Sequence, residues 1–436
     1  MATRRVLIAG AALGAGALVL SGCAGGGTPS GGDDEIAGTI TVITQRTDIV
    51  DTVFQDYKAQ FEEEYPEVTV EFEAITDYEG EIAVRMNTDD YGDVLLIPNS
   101  VNQAQLPHFF EPLGTVDELS STYRFLSEEA YEGQAYGISI TGNTQGLVYN
   151  KDVWADAGVT ELPTTPDEFL ADLQAIADKT DAIPYYTNYA DGWPLSQWDG
   201  NRGAMGDPDY ANEHIAYSDT PWADDEWHGI SDGLLFDIVA NGLSERDPLT
   251  TNWEQSKNLL GSGQVGTMLL GSWAITQMQD AAEAAGSSRD VIGYMPFPYQ
   301  VDGTFYAQVG GDYKNAINVH SENKAAARAW IEWFAEESGY AFDQGGLSPL
   351  VDGPTPEVLG DFDAAGVEYV ELTPAPAGAE SLENDIVSAS EIDLYGAVYR
   401  QELVDIARGA ADGTKESYFA ELNQRWADAR AKVDAG

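Results

Sequence analysis

Trp193 stands in an aromatic stretch over residues 185–198 (YYTNYADGWPLSQW), which Trp198 closes and in which Asn188, Asp191, Gly192 and Gln197 are interleaved. Flat rings flanked by amides and carboxylates can take the apolar C–H face of a pyranose while its hydroxyl rim is hydrogen-bonded. A dry core would also be rich in aromatics, because their area is mostly buried. The interleaved polar residues suit a cleft wall better. Trp273 offers a third indole, placed after Gly271-Ser272 where the short apolar strand over 265–270 runs out and a helical stretch begins.

Polar side chains recur at other strand exits. Gln45, Arg46 and Asp48 follow the alternating TITVIT of 39–44, and Asn99 and Ser100 follow an apolar run over 93–97. Asn143 lies in the small, polar 141–146 (TGNTQG), between apolar runs at 138–140 and 147–149, and Gly311, Asp312 and Tyr313 precede a short strand over 316–319. In sheets with βαβ connections, ligands sit beyond the strand C-termini. Asn99, Asn143, Asp312 and Arg46 are therefore candidates to bond the rim of a ligand, with Tyr313 flanking. A phosphorylated or carboxylated ligand would ask for a cluster of Arg or Lys, which this chain does not show.

Other chemistries find less support. The four histidines, His108, His214, His228 and His320, lack the HExxH spacing, and the single cysteine excludes a Cys/His zinc site. No metal or cofactor is expected. Gly261, Gly263 and Gly266 (GSGQVG) spell the dinucleotide fingerprint, but a helical pattern precedes them and a strand follows, the reverse of what that site needs. Carboxylate pairs for glycoside hydrolysis remain available, since 74 acidic residues supply them everywhere.

The elements that must position these groups follow from periodicity. Phe54, Tyr57, Phe61 and Tyr65 recur at helical spacing up to Pro66, and VTVEFEAI over 68–75 alternates as a strand. Thr165-Pro166-Asp167-Glu168 is a helix start: Thr caps, Pro takes the first helical position, and Glu reaches back. Trp330, Trp333 and Phe334 share one face of a helix with nothing polar between them, which predicts core. Strands and helices alternate, as in an α/β fold. The 141–146 segment is compatible with an ordinary surface loop and with a crossing between two lobes.

At 436 residues the chain is long enough for two domains, and its 43% hydrophobic share supports folded ones. A net charge of −53 makes nucleic acid and anionic lipid poor partners. Residues 1–22 form a signal peptide, with Arg4 and Arg5 before an apolar segment that is too short to span a membrane. Leu20-Ser21-Gly22-Cys23 resembles a bacterial lipobox, which makes Cys23 the lipidation site, and residues 23–35 form a flexible tether.

The block Tyr149-Asn150-Lys151-Asp152, then Ala157-Gly158, then Pro163 to Phe169 (PTTPDEF), resembles that of the family 1 extracellular solute-binding proteins. Further matches run from TVIT at 41–44 through GSGQVGTMLLGSW at 261–273 to NKAAARAWIEWF at 323–334. Pro166 stands where the family block usually has Trp. The resemblance implies two α/β lobes, each a mainly parallel sheet flanked by helices, joined by a multi-segment hinge that closes on a solute. Lobe 1 is then expected over 36–140 and 298–318 and lobe 2 over 141–297 and 319–436, with crossings near 141–145, 295–299 and 318–321. It also implies a ligand-facing indole at Trp273 and the membrane subunits of an ABC importer as partner. A monomer held by its lipid on the outer face of the bacterial cytoplasmic membrane is expected. The solute expected is a neutral sugar or oligosaccharide; a non-sugar solute, a tethered extracellular glycoside hydrolase and a ligand-presenting sensor are the alternatives.

Overall fold

The computed structural model describes residues 35–434 apart from 48, 77, 99, 374, 377 and 380. The signal peptide, Cys23, most of the tether, and the candidates Asp48 and Asn99 lie outside the described residues.

Two sheets organise the chain. In the first, β1 (Gly38–Thr44), β2 (Val68–Ala74) and β3 (Val94–Leu96) pair in parallel, with Ile40 opposite Val70 and Val42 opposite Val94. A small ribbon of β4 (Gly114–Thr115), β5 (Ala130–Tyr131) and β6 (Gln134–Ala135) leads to β7 (Ile138–Ser139). The second sheet is built around β8 (Gly142–Asn150), with β9 (Ile183–Tyr185), β10 (Val265–Gly271), β11 (Ile292–Met295), β12 (Gln300–Val301) and β13 (Thr304–Gly311). β14 (Lys314–Ile317) returns to the first sheet, between β3 and β7, and β15 (Glu368–Glu371) joins the second beside β13. Both sheets are mixed. β9 is parallel to β10 and β15 to β13, whereas β8 meets β10, β11 and β13 antiparallel. Strands that leave one sheet for the other run back against the βαβ direction, which makes those pairs antiparallel.

The chain passes between the sheets at three places that lie side by side. β7 leads through Ile140 to β8, and β13 leads through Asp312 to β14. The third passage follows the helix Tyr340–Asp343: Gly142 N–H donates to Leu347 O at 2.7 Å, and Leu347 N–H donates back at 2.8 Å. Asp312 N–H donates to Thr141 O at 2.8 Å, stitching the first two passages together. These pairings correct two expected crossings and the lobe limits drawn from them. The 295–299 segment stays in the second sheet, between β11 and β12, and 318–321 stays with the first, where Asn318 bridges Phe110 and Ser321 Oγ donates to Asp93 Oδ1 at 2.6 Å. A strand–turn–strand pattern looks the same in a hairpin as in a crossing, because partner choice depends on contacts distant in sequence.

Helices cover both sheets. The helix Val53–Glu64 buries Phe54, Tyr57 and Phe61 against Trp330, Trp333 and Phe334 of the helix Lys324–Glu336, with Phe61 edge-on to Trp330 at 5.1 Å. Full burial of each such ring contributes about 1.5–3 kcal/mol. The helix Pro166–Lys179 starts as its residues dictate: Thr165 Oγ1 accepts from Glu168 N–H at 3.2 Å, while the Glu168 carboxylate takes Thr164 N–H at 2.8 Å.

An ionic network lies inside the second lobe. Arg202 is forked on Asp199 and reaches Glu383 at 2.6 Å, and Arg400 Nε meets Asp232 at 2.8 Å. Burial, with Arg202 and Arg400 adding to it, pushes the His228 ring well down, so it is neutral and structural. The network pins the 3-10 segment Asp199–Met205 against β13.

Candidate ligand-binding cleft

β8 and β13 carry the floor of a cavity of about 480 Å³ where the passages meet. Strand alternation puts Asn143 and Gln145 on one face of β8, and Gln308 and Gly310 on one face of β13. Both pairs line the cavity, with Glu128, Gly311, Asp312 and Trp273.

Most of these amides are oriented by a neighbour. Asn143 Nδ2 donates to Asp312 Oδ2 at 3.2 Å, and its Oδ1 accepts from Ser272 Oγ at 3.3 Å. Gln308 Oε1 accepts from Gly203 N–H at 3.3 Å, which leaves Nε2 as the end free to donate into the cavity. A Cβ at Gly203 would stand 2.7 Å from Gln308 Cα, so only glycine lets the segment come this close. Gln145 Oε1 is buried with no hydrogen-bond partner among the described residues. A buried acceptor of this kind costs free energy until something donates to it.

The indoles form the side wall. Trp273 sits 5.7 Å from both Trp193 and Trp253, and Trp193 meets Trp253 edge-on at 4.9 Å. A Cβ at Gly271 would come within 2.6 Å of Trp273 Nε1, so glycine at the strand exit makes room for the ring. Asp191 Oδ2 accepts from Trp253 N–H at 2.7 Å, which ties the Trp193 loop to the helix Trp253–Gly261. Trp193 is 38% exposed, whereas Trp273 and Trp253 are half-buried.

Carboxylates provide the charge. Glu128 Oε1 accepts from Gly311 N–H at 2.8 Å, and its other oxygen pairs with the ammonium of the buried Lys314. Burial disfavours that ammonium, yet Glu128, Glu129 and Asp312 around it hold its pKa above the ordinary value. Burial pushes Glu129 up to about 7, against the pull of Lys314 and with Glu128 adding to the rise. Among the described residues no Lys or Arg lines the cavity.

Of the residues singled out from sequence, Asn143, Gly311, Asp312 and Trp273 meet at this cavity, and Trp193 joins it through Trp273. Trp198 does not. It is 1% exposed, because its ring packs edge-on against Tyr185 and Phe297 in the core. Gln45, Arg46 and Tyr313 lie on the first lobe outside the lining: Arg46 Nη1 donates to Tyr340 OH at 2.7 Å, and Tyr313 OH donates to Glu79 at 2.7 Å. Sequence reasoning missed Glu128, Gln145, Gln308, Gly310 and Trp253. Period-two alternation from Asn143 would have found Gln145; nothing local marks Glu128.

The profile of the bacterial extracellular solute-binding proteins matches residues 46–341. The chain belongs to that family. Its structure is similar to that of a binding protein of an ABC transporter from Bifidobacterium animalis subsp. lactis, solved with mannobiose, at 34% identity, TM-score 0.82, and coverage of 93% of this chain and 98% of that one. A manno-oligosaccharide-specific solute-binding protein of the same organism, solved with mannotriose, is 33% identical with TM-score 0.81, covering 93% and 97%. The diacetylchitobiose-binding protein DasA of Streptomyces coelicolor is 48% identical over 56 residues, 13% of each chain. The chain thus spans 13% of that curated relative, and 56% of the Brucella binding proteins it also matches. Members of this family bind substrates; no helix among the described residues is long and apolar enough to cross a membrane.

Proposed function

We propose that this family member captures a neutral oligosaccharide between its lobes, stacked on Trp273, and hands it to the membrane subunits of an ABC importer. The observation that carries this is the joining of a half-buried indole and oriented amides around one cavity that, among the described residues, no Lys or Arg lines. That combination fits a pyranose and disfavours an anionic solute. The manno-oligosaccharides named for the Bifidobacterium relatives support it. Ligand would bridge the lobes and shift an open–closed equilibrium about the three passages, and binding would involve no covalent step. Cys23 would anchor the chain through two or more acyl chains, since each buried methylene contributes roughly 0.8 kcal/mol.

Thermal shift against mannobiose, mannotriose, diacetylchitobiose, amino acids and polyamines tests the ligand class, because a solute bound only by the native state raises its melting temperature. A rise with the oligosaccharides alone is expected, with no shortened sugar released during incubation. A rise only with polyamines or amino acids would overturn the proposal. For the anchor, Cys23→Ala should leave the membrane fraction for the medium or remain unprocessed; a normally processed variant retained in the membrane would contradict it.

A further inference from the structure

A second cavity of about 870 Å³ opens beside the first and shares Glu128, Gln308 and Gly310 with it. Its near wall comes from the first lobe, through residues 100–104 and 127–131, and its far wall from the second, through Asn212 and residues of the 372–385 segment. Each wall is tied within itself. Gln103 Nε2 donates to Ser127 O at 3.4 Å and to Glu128 O at 3.3 Å, and Asn212 Nδ2 donates to Thr373 O.

Size and chemistry distinguish the two compartments. Either volume alone falls within the roughly 300–1,000 Å³ of a small-ligand site, so a ligand filling the first leaves the larger second one empty. The first has the indole wall. Among the described residues the second has one aromatic ring, Tyr131, with amides, hydroxyls, the carboxylates Glu128, Glu129 and Asp385, a few aliphatic side chains such as Val101 and Leu372, and no Lys or Arg. Such a surface can bond sugar hydroxyls along a chain but gives little stacking, so it would extend a ligand anchored elsewhere. Gln308 lies at the junction, with Oε1 held by Gly203 and Nε2 left to donate.

We propose, on the basis of the oligosaccharide function above, that the second cavity is an extension subsite: one end of the ligand stacks on the indoles and further neutral sugar units run past Glu128 and Gln308 between the two walls. The protein then selects for chain length, and its preferred ligand is longer than a disaccharide.

Calorimetry with mannobiose, mannotriose, mannotetraose and mannohexaose reads this out. Affinity should rise roughly tenfold from mannobiose to mannotetraose, the return from one or two added neutral hydrogen bonds. Ser381→Trp, at an exposed position on the second wall, should remove that gain while leaving mannobiose affinity unchanged. Asn384→Ala, also exposed, should reduce the gain without a fold penalty, and it decides the matter if the bulkier variant does not fold. Equal affinity for all four sugars in the unaltered protein would overturn the extension subsite and leave the indole site standing. Binding of none of them, with no rise in melting temperature from diacetylchitobiose either, would overturn the oligosaccharide function itself, and the subsite with it.

Discussion

Trp273 does at the residue scale what a strand exit allows: Gly271 clears space for the ring, which Trp253 meets edge-on and Trp193 at a tilt. Replacing it by Ala should cost about 2 kcal/mol of binding, roughly thirtyfold in affinity, if it is a hot spot. Calorimetry on the folded variant checks this, and an unchanged dissociation constant with a lowered melting temperature would mark the ring as structural only. Gln145 offers a second test. Its side chain lines the cavity, so Gln145→Ala should weaken binding several-fold, while stability stays nearly unchanged because the buried, unpartnered Oε1 is removed as well.

Glu128 connects elements. It stands in the 3-10 helix Leu126–Glu129 and grips both ends of the passage from β13 to β14, through Gly311 N–H and the Lys314 ammonium. Glu128→Ala would leave that ammonium buried without its closest counter-charge, a loss of about 3–5 kcal/mol that urea denaturation would show. A loss of unfolding free energy below about 1 kcal/mol would mean that Glu129 and Asp312 suffice to hold it. Glu245 behaves differently. Burial, partly opposed by the bonds from Thr187, raises its carboxyl from 4.5 to about 7, and Glu129 is raised to about 7 as well. The native state therefore binds protons that the unfolded chain has released. The stability these groups contribute is fully present below about pH 4.5 and is lost as pH rises through about 7. Glu245→Gln should flatten that decline in denaturation midpoints measured between pH 5 and 8; an unaltered slope would place the cause elsewhere.

Across the whole molecule, three adjacent passages join the two lobes and the cavity lies beside them, and we propose that the lobes close about that line. Small-angle scattering should show a smaller radius of gyration on saturation with a bound oligosaccharide. An unchanged radius through a full titration would argue against closure. Much of this architecture was legible in the chain. The helical recurrence of Phe54, Tyr57 and Phe61, the Thr165-Pro166 start and the apolar face of Trp330, Trp333 and Phe334 all stand where local spacing put them, because each depends on neighbours three or four residues away. The block at 149–169 was enough to suggest the family. What the tertiary structure alone decided is partnership. It moved 304–311 into the second sheet, kept 318–321 in the first, buried Trp198 in the core and brought Glu128 beside Gly311. The ring of Trp198 and the ring of Trp193 have the same local chemistry. Which of them faces the cleft depends on packing against Tyr185 and Phe297, one of them about a hundred residues away, and no local pattern encodes that.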